Sequence, residues 1–111
     1  MESPDDQSLA IFEEVLAELQ LRQPGIASKK MFGLPSFMID GKPFAGLIGE
    51  DMIFKLDGEA LKRALALPGA KHFDPMGGRP MKSWAQVPPE HAGLWPDLAE
   101  EALYEHLGRD S

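Results

Sequence analysis

Cysteine is absent from the 111 residues. Disulfides, thiolate nucleophiles and cysteine-based metal sites are therefore excluded, and a reducing compartment fits the composition. Long hydrophobic runs are missing too. The longest, about PFAGLIG at 43–49, is far short of the ~20 apolar residues that cross a bilayer. The opening MESPDDQSLA is acidic and polar, without the basic and apolar regions of a secretory signal. A cytoplasmic location without membrane association is expected. Positive charge is scarce: 11 Lys and Arg stand against 18 Asp and Glu, a net charge of −7. That balance disfavours non-specific wrapping of duplex DNA, which needs many cationic contacts to phosphate. Neither GxGxxG nor GxxxxGK[ST] occurs, so no nucleotide fingerprint exists and no cofactor is expected.

What is present describes a folded domain. Apolar residues make up 43% and charged residues 26%, an ordinary globular composition. One domain of this length buries roughly 65% of its unfolded surface, enough for a core without staples. Residues 1–7 are polar and are expected to fray. Charge is unevenly spread. Residues 1–28 and 83–111 each hold six acids and one base, whereas 29–82 holds six acids and nine bases. Both ends are acidic and the middle is mildly basic.

Periodicity supplies the elements. Leu9, Phe12, Val15, Leu16 and Leu19 recur at spacings of three and four, one stripe of an amphipathic helix. Asp5, Asp6 and Ser8 are candidate N-caps, and Pro24-Gly25 stops the helix. Four extended runs follow, SKKMF, SFMI, PFAGLI and MIFKL. Turn signals at Gly33-Leu34-Pro35, Asp40-Gly41 and Gly49-Glu50-Asp51 separate them, and such short connections predict an antiparallel meander. In MIFKL, Ile53 and Lys55 alternate with Met52, Phe54 and Leu56, so one face is expected to be wetter. Asp57 caps a second helix with Leu61, Ala64 and Leu65 inside. KHF at 71–73 and MKSWAQV at 81–87 read as strands around a Pro75-Met76-Gly77-Gly78 loop. A last helix starts near Pro96, buries Leu98, Ala99, Ala102, Leu103 and Leu107, and ends at Gly108.

Two segments join positive charge to a Met, an aromatic and glycine. In the first, Lys29, Lys30, Met31, Phe32 and Gly33 form either a basic edge able to meet an anion or an acidic helix, or a strand and turn whose lysines keep an edge from pairing. In the second, Gly77, Gly78, Arg79, Met81, Lys82 and Trp84 form either a glycine-rich anion loop assisted by Arg79 or a turn with Trp84 over the core. Were an interface present, an exposed Trp84 would be its strongest anchor. His72, His91 and His106 follow no metal-binding spacing. Ser83 has no nucleophile elbow. The pairs Glu13-Glu14 and Glu100-Glu101 read as solvated surface, and most methionines as core filling.

In order and spacing, KKMFG, the DGK hairpin followed by FA, IFKL and ALPGAKHFDPMGGRPMKSWAQVP, with the terminal helix, resemble the TfoX N-terminal domain family over about residues 8–107. That resemblance implies an α+β fold: a two-layer α/β sandwich, an antiparallel sheet with helices on one face, in the order α-β(3)-α-β(2)-α. Two departures stand out. The family's glycine-rich, aromatic stretch after Phe32 is here the shorter GLPSFMI, and the helix-rich second domain of the full-length competence regulator has no counterpart in these residues.

The expected function is a non-enzymatic interaction module, possessing a protein partner and regulatory in character. Its interaction residues would be Lys29, Lys30, Phe32, Gly33, Lys55, Gly78, Arg79, Lys82 and Trp84. The alternative is a nucleic-acid-associated transcriptional regulator, which requires Lys29, Lys30, Lys55, Arg79 and Lys82 to converge on one face. A small enzyme is the minor alternative and would need a pocket holding a histidine beside a carboxylate. Homodimerisation through an open sheet edge is compatible with all three.

Overall fold

A computed structural model describes residues 5–31, 33–74, 77–78 and 80–109. The first helix, α1 (Asp6–Arg22), begins where Asp5 leaves the extended region and its carboxylate accepts the Ser8 N–H at 3.1 Å. Asp5, Asp6 and Gln7, within the stretch expected to fray, form the cap and first turn of this helix. The Asp5 N–H donates to the Gly49 carbonyl at 2.9 Å, and the Ser8 hydroxyl donates to the Glu50 carbonyl at 2.8 Å. These two bonds pin the helix start to a sheet turn. Residues 1–4 lie outside the described residues.

Six strands follow in one antiparallel sheet: β1 (Ala27–Met31), β2 (Leu34–Ile39), β3 (Lys42–Ile48), β4 (Asp51–Lys55), β5 (Lys71–Phe73) and β6 (Met81–Val87). Their spatial order is β1-β2-β3-β4-β6-β5. The first four form the predicted meander. Asp40 and Gly41 both take positive φ, 53° and 77°, the geometry of the tight turn whose twist matches the flanking strands. Four strands precede the second helix rather than three, because Gly33, at φ 78°, turns the chain and β1 pairs with β2 along its whole length.

Between β4 and β5 runs α2 (Gly58–Leu65), capped by Asp57, whose Oδ1 accepts the Gly58 N–H at 2.9 Å. A 3-10 helix over Pro89–Leu94 leads into α3 (Trp95–Arg109). That helix runs on through Gly108 rather than ending there.

The helices cover one face of the sheet. Phe12, Val15 and Leu19 of α1 and Trp95, Leu98, Ala99, Ala102 and Leu103 of α3 share a core with Phe37, Phe44, Leu47, Met52, Phe54 and Val87. The Phe12 and Phe37 rings lie 4.4 Å apart and those of Phe37 and Phe44 5.9 Å. Pairing slips between Phe37 and Met38, and this bulge lets Phe44 and Ala45 both be buried.

The other face is drier than predicted. Ile53 is fully buried, in a second cluster with Phe73 and Trp84, against which Leu34, Ile48 and Met81 pack. Across the sheet Ile53 faces Gly46. A Cβ at Gly46 would lie 3.2 Å from the Ile53 Cγ1, the Pro35 carbonyl oxygen and the Ser36 Oγ. Absence of a side chain there gives Ile53 its room.

Candidate functional site

Strand register decides where the predicted basic residues go. Adjacent residues of a strand point to opposite faces, so Lys29 and Lys30 are split between the two. Lys29 pairs with Ser36, which pairs in turn with Gly46, Ile53, Gln86 and finally Lys71. Lys29 and Lys71 thus stand at opposite ends of one row, five strand spacings or roughly 24 Å apart. Lys30 pairs with Pro35 and belongs to the other side. Lys82 sits on β6, four spacings or roughly 19 Å from β1. Gly33 is an exposed turn residue. Phe32 and Arg79 lie outside the described residues, as do Pro75 and Met76.

The glycine loop already holds an anion of its own. The Gly78 N–H donates to both carboxylate oxygens of Asp74, at 3.0 and 2.9 Å. Gly77 and Gly78 take φ 68° and 153°, which explains the glycines without an external ligand. Trp84 is only 5% exposed and meets Phe73 edge-on, ring centroids 6.4 Å apart at 60°. It packs the second cluster and is not the exposed anchor that the sequence allowed.

The acid pair of α3 also differs from the solvated reading. Glu100 pairs with Arg22 of α1, and Glu101 with Arg63 of α2 at 2.6 Å. The Glu100 carboxylate, through a hydrogen bond and its charge, raises the Arg22 guanidinium above its ordinary value. These pairs tie the last helix to the other two.

Titratable side chains do converge elsewhere. A cleft of about 120 Å³ lies where the ends of two strands meet α3, lined by Lys42, Lys55, Leu56, Asp57, Ala102, Glu105 and His106. Lys42 opens β3 and Lys55 closes β4. Asp57 is the cap of α2, so its carboxylate is held by the helix start. Glu105 and His106 come from the turn of α3 that follows Ala102, three and four residues on, hence the same side of the helix. Leu56 and Ala102 form an apolar floor, each 1% exposed, and His106 is 8% exposed. No serine lines the cleft, and no group of three or more metal-ligating residues exists among the described residues. A shallower depression adjoins it and shares Asp57 and Glu105, adding Glu59, Glu101 and Tyr104.

Of the predicted residues that are described, only Lys55 lines this cleft. The sequence reading missed the rest because the elements that meet there are far apart along the chain. One signal was available. His106 continues the helical spacing of Ala99, Ala102 and Leu103, which marks it as a buried histidine.

The family model described as the TfoX N-terminal domain matches residues 16–103. Comparison with curated proteins and comparison with solved structures each found no match.

Proposed function

The chain belongs to the TfoX N-terminal domain family, and on that premise we propose that it is a non-enzymatic, competence-regulator-like interaction module that acts in the cytoplasm through a protein partner. The observation that carries this reading is the sheet face opposite the core. Among the described residues no helical one belongs to the cluster on that face, where Leu34, Ile48 and Met81 pack against the buried Ile53, Phe73 and Trp84 across five strands. Leu34, Ile48 and Met81 remain partly exposed, with Lys29, Gln86 and Lys71 on the same face. The exposed parts of Leu34, Ile48 and Met81, set among these polar residues, are the apolar contacts that a protein partner would cover. β1 pairs only with β2, and its other edge is suited to strand addition by a partner or by a second copy.

Charge favours protein over nucleic acid. Phosphate-driven binding needs several cations on one surface, and the KK pair is divided between two faces of an acidic molecule.

Affinity capture from nuclease-treated lysate of the source cell tests the reading, with the natural sequence and a Leu34→Glu/Met81→Glu variant compared. Retention of a defined protein by the first and its loss by the second, with unchanged circular dichroism, is expected. Capture abolished by nuclease would instead establish the nucleic-acid alternative. Capture equal in both would remove this face from the account.

A further inference from the structure

The outer strand β1 has a backbone edge whose geometry the register fixes. Pro35 of β2 stands opposite Lys30 and has no N–H to donate. Its carbonyl oxygen lies on the β3 side, 3.2 Å from where a Cβ on Gly46 would stand. Lys30 and Pro35 are therefore a non-hydrogen-bonded pair, and the N–H and C=O of Ser28 and Lys30 turn to the open edge. Among the described residues no backbone hydrogen bond beyond the β1–β2 ladder reaches residues 27–31. Ser28, Lys29 and Lys30 are exposed, and no described residue forms an ion pair with either lysine within 4.0 Å. On the reading of the protein as an interaction module, we propose that its partner adds an extended acidic segment to this edge, two adjacent carboxylates facing Lys29 on one side of the sheet and Lys30 on the other.

Charge selects the occupant. The strands β1, β2 and β3 hold three lysines and no carboxylate, in a chain of net charge −7, so this end of the sheet is locally cationic. In an added strand, adjacent residues also point to opposite faces. Two acidic neighbours thus meet the divided lysine pair one to one, while the backbone bonds to Ser28 and Lys30 supply affinity. A second copy fits worse. Antiparallel self-pairing about Lys29, the middle of β1, sets lysine directly opposite lysine, and like charges so placed are destabilising. A duplex follows neither the alternation nor the row of N–H and C=O groups.

Amide chemical-shift titration at constant ionic strength tests the proposal with capped synthetic peptides: TVEEVT, its TVKKVT counterpart, and TVEEVT N-methylated at alternate residues. With TVEEVT, saturable shifts at Ser28, Lys29 and Lys30 and slowed exchange of the Ser28 and Lys30 amides are expected. Binding should weaken by about tenfold for TVKKVT, which replaces two attractive cross-strand pairs by repulsive ones, and likewise for the N-methylated peptide, which cannot bond the edge. Lys29→Glu/Lys30→Glu should reverse the preference between the first two. Equal binding of the N-methylated peptide would overturn strand addition, and equal binding of TVKKVT would overturn the acidic class. A short DNA duplex that shifts the same amides more tightly, or a dimer in sedimentation that protects them without peptide, would assign the edge to nucleic acid or to a second copy and overturn the proposal. Shifts absent from β1 would overturn the site alone, since the sheet face is read separately by the Leu34→Glu/Met81→Glu capture.

Discussion

Trp84 and Trp95 are the only two tryptophans, and they are 5% and 0% exposed. Each packs a different cluster, Trp95 beneath the helices and Trp84 on the opposite face. Emission of the native protein is therefore expected to be blue-shifted and poorly quenched by iodide, with quenching rising several-fold on unfolding. A native spectrum already quenched like the unfolded one would contradict the burial of both rings. Gly46 offers a second test at this scale. Its neighbours at 3.2 Å include a backbone oxygen, which cannot swing aside as a side-chain terminus does. Gly46→Ala is expected to cost ~1–3 kcal/mol in urea unfolding, the usual penalty of overpacking. Gly25 has nothing within 4 Å of an added Cβ, and Gly25→Ala serves as the tolerated control.

Between elements, α3 is held by two different kinds of force. Its apolar side buries Leu98, Ala99, Ala102 and Leu103 in the core, while Glu100 and Glu101 reach Arg22 and Arg63. The packing outweighs the ion pairs. Arg63 and Glu101 have side chains 64% and 37% exposed, and exposed pairs contribute ~0.2–1 kcal/mol. A double-mutant cycle of Arg63→Met and Glu101→Gln should give a coupling below ~1 kcal/mol that shrinks as salt is added. By contrast, Leu103→Ala should cost ~2–5 kcal/mol, because it opens a cavity in the shared core. Equal effects from the two experiments would mean that charge, not packing, seats the helix.

For the whole molecule the decisive quantity is the placement of its net charge of −7. Basic residues concentrate in the middle of the chain, yet the sheet distributes them from β1 at one edge to β5 at the other. Random-sequence duplex DNA is expected to give no mobility shift at ~10 μM protein near physiological salt, because tight non-specific binding requires neutralising several phosphates at once. A shift whose affinity falls steeply with salt would show that these cations do reach one duplex. No described helix is long and apolar enough to cross a membrane. The described residues thus present two features of interest, the partly exposed Leu34, Ile48 and Met81 opposite the helices and the charged cleft at the strand ends.

Much of the architecture was legible along the chain. The stripe from Leu9 to Leu19, the Asp40-Gly41 turn, the cap at Asp57 and the alternation in MKSWAQV are local signals, and each specifies a local backbone conformation. The family resemblance rests on the same short segments. What only the tertiary structure decided depends on pairing between distant segments. Strand order put β6 between β4 and β5, which buried Ile53 and Trp84 on the face predicted to be wetter. Register divided Lys29 from Lys30. The docking of α3 brought Glu105 and His106 to Lys42, Lys55 and Asp57, a cluster with no spacing to read, because nothing in a residue's neighbours along the chain records which strand end its helix will meet.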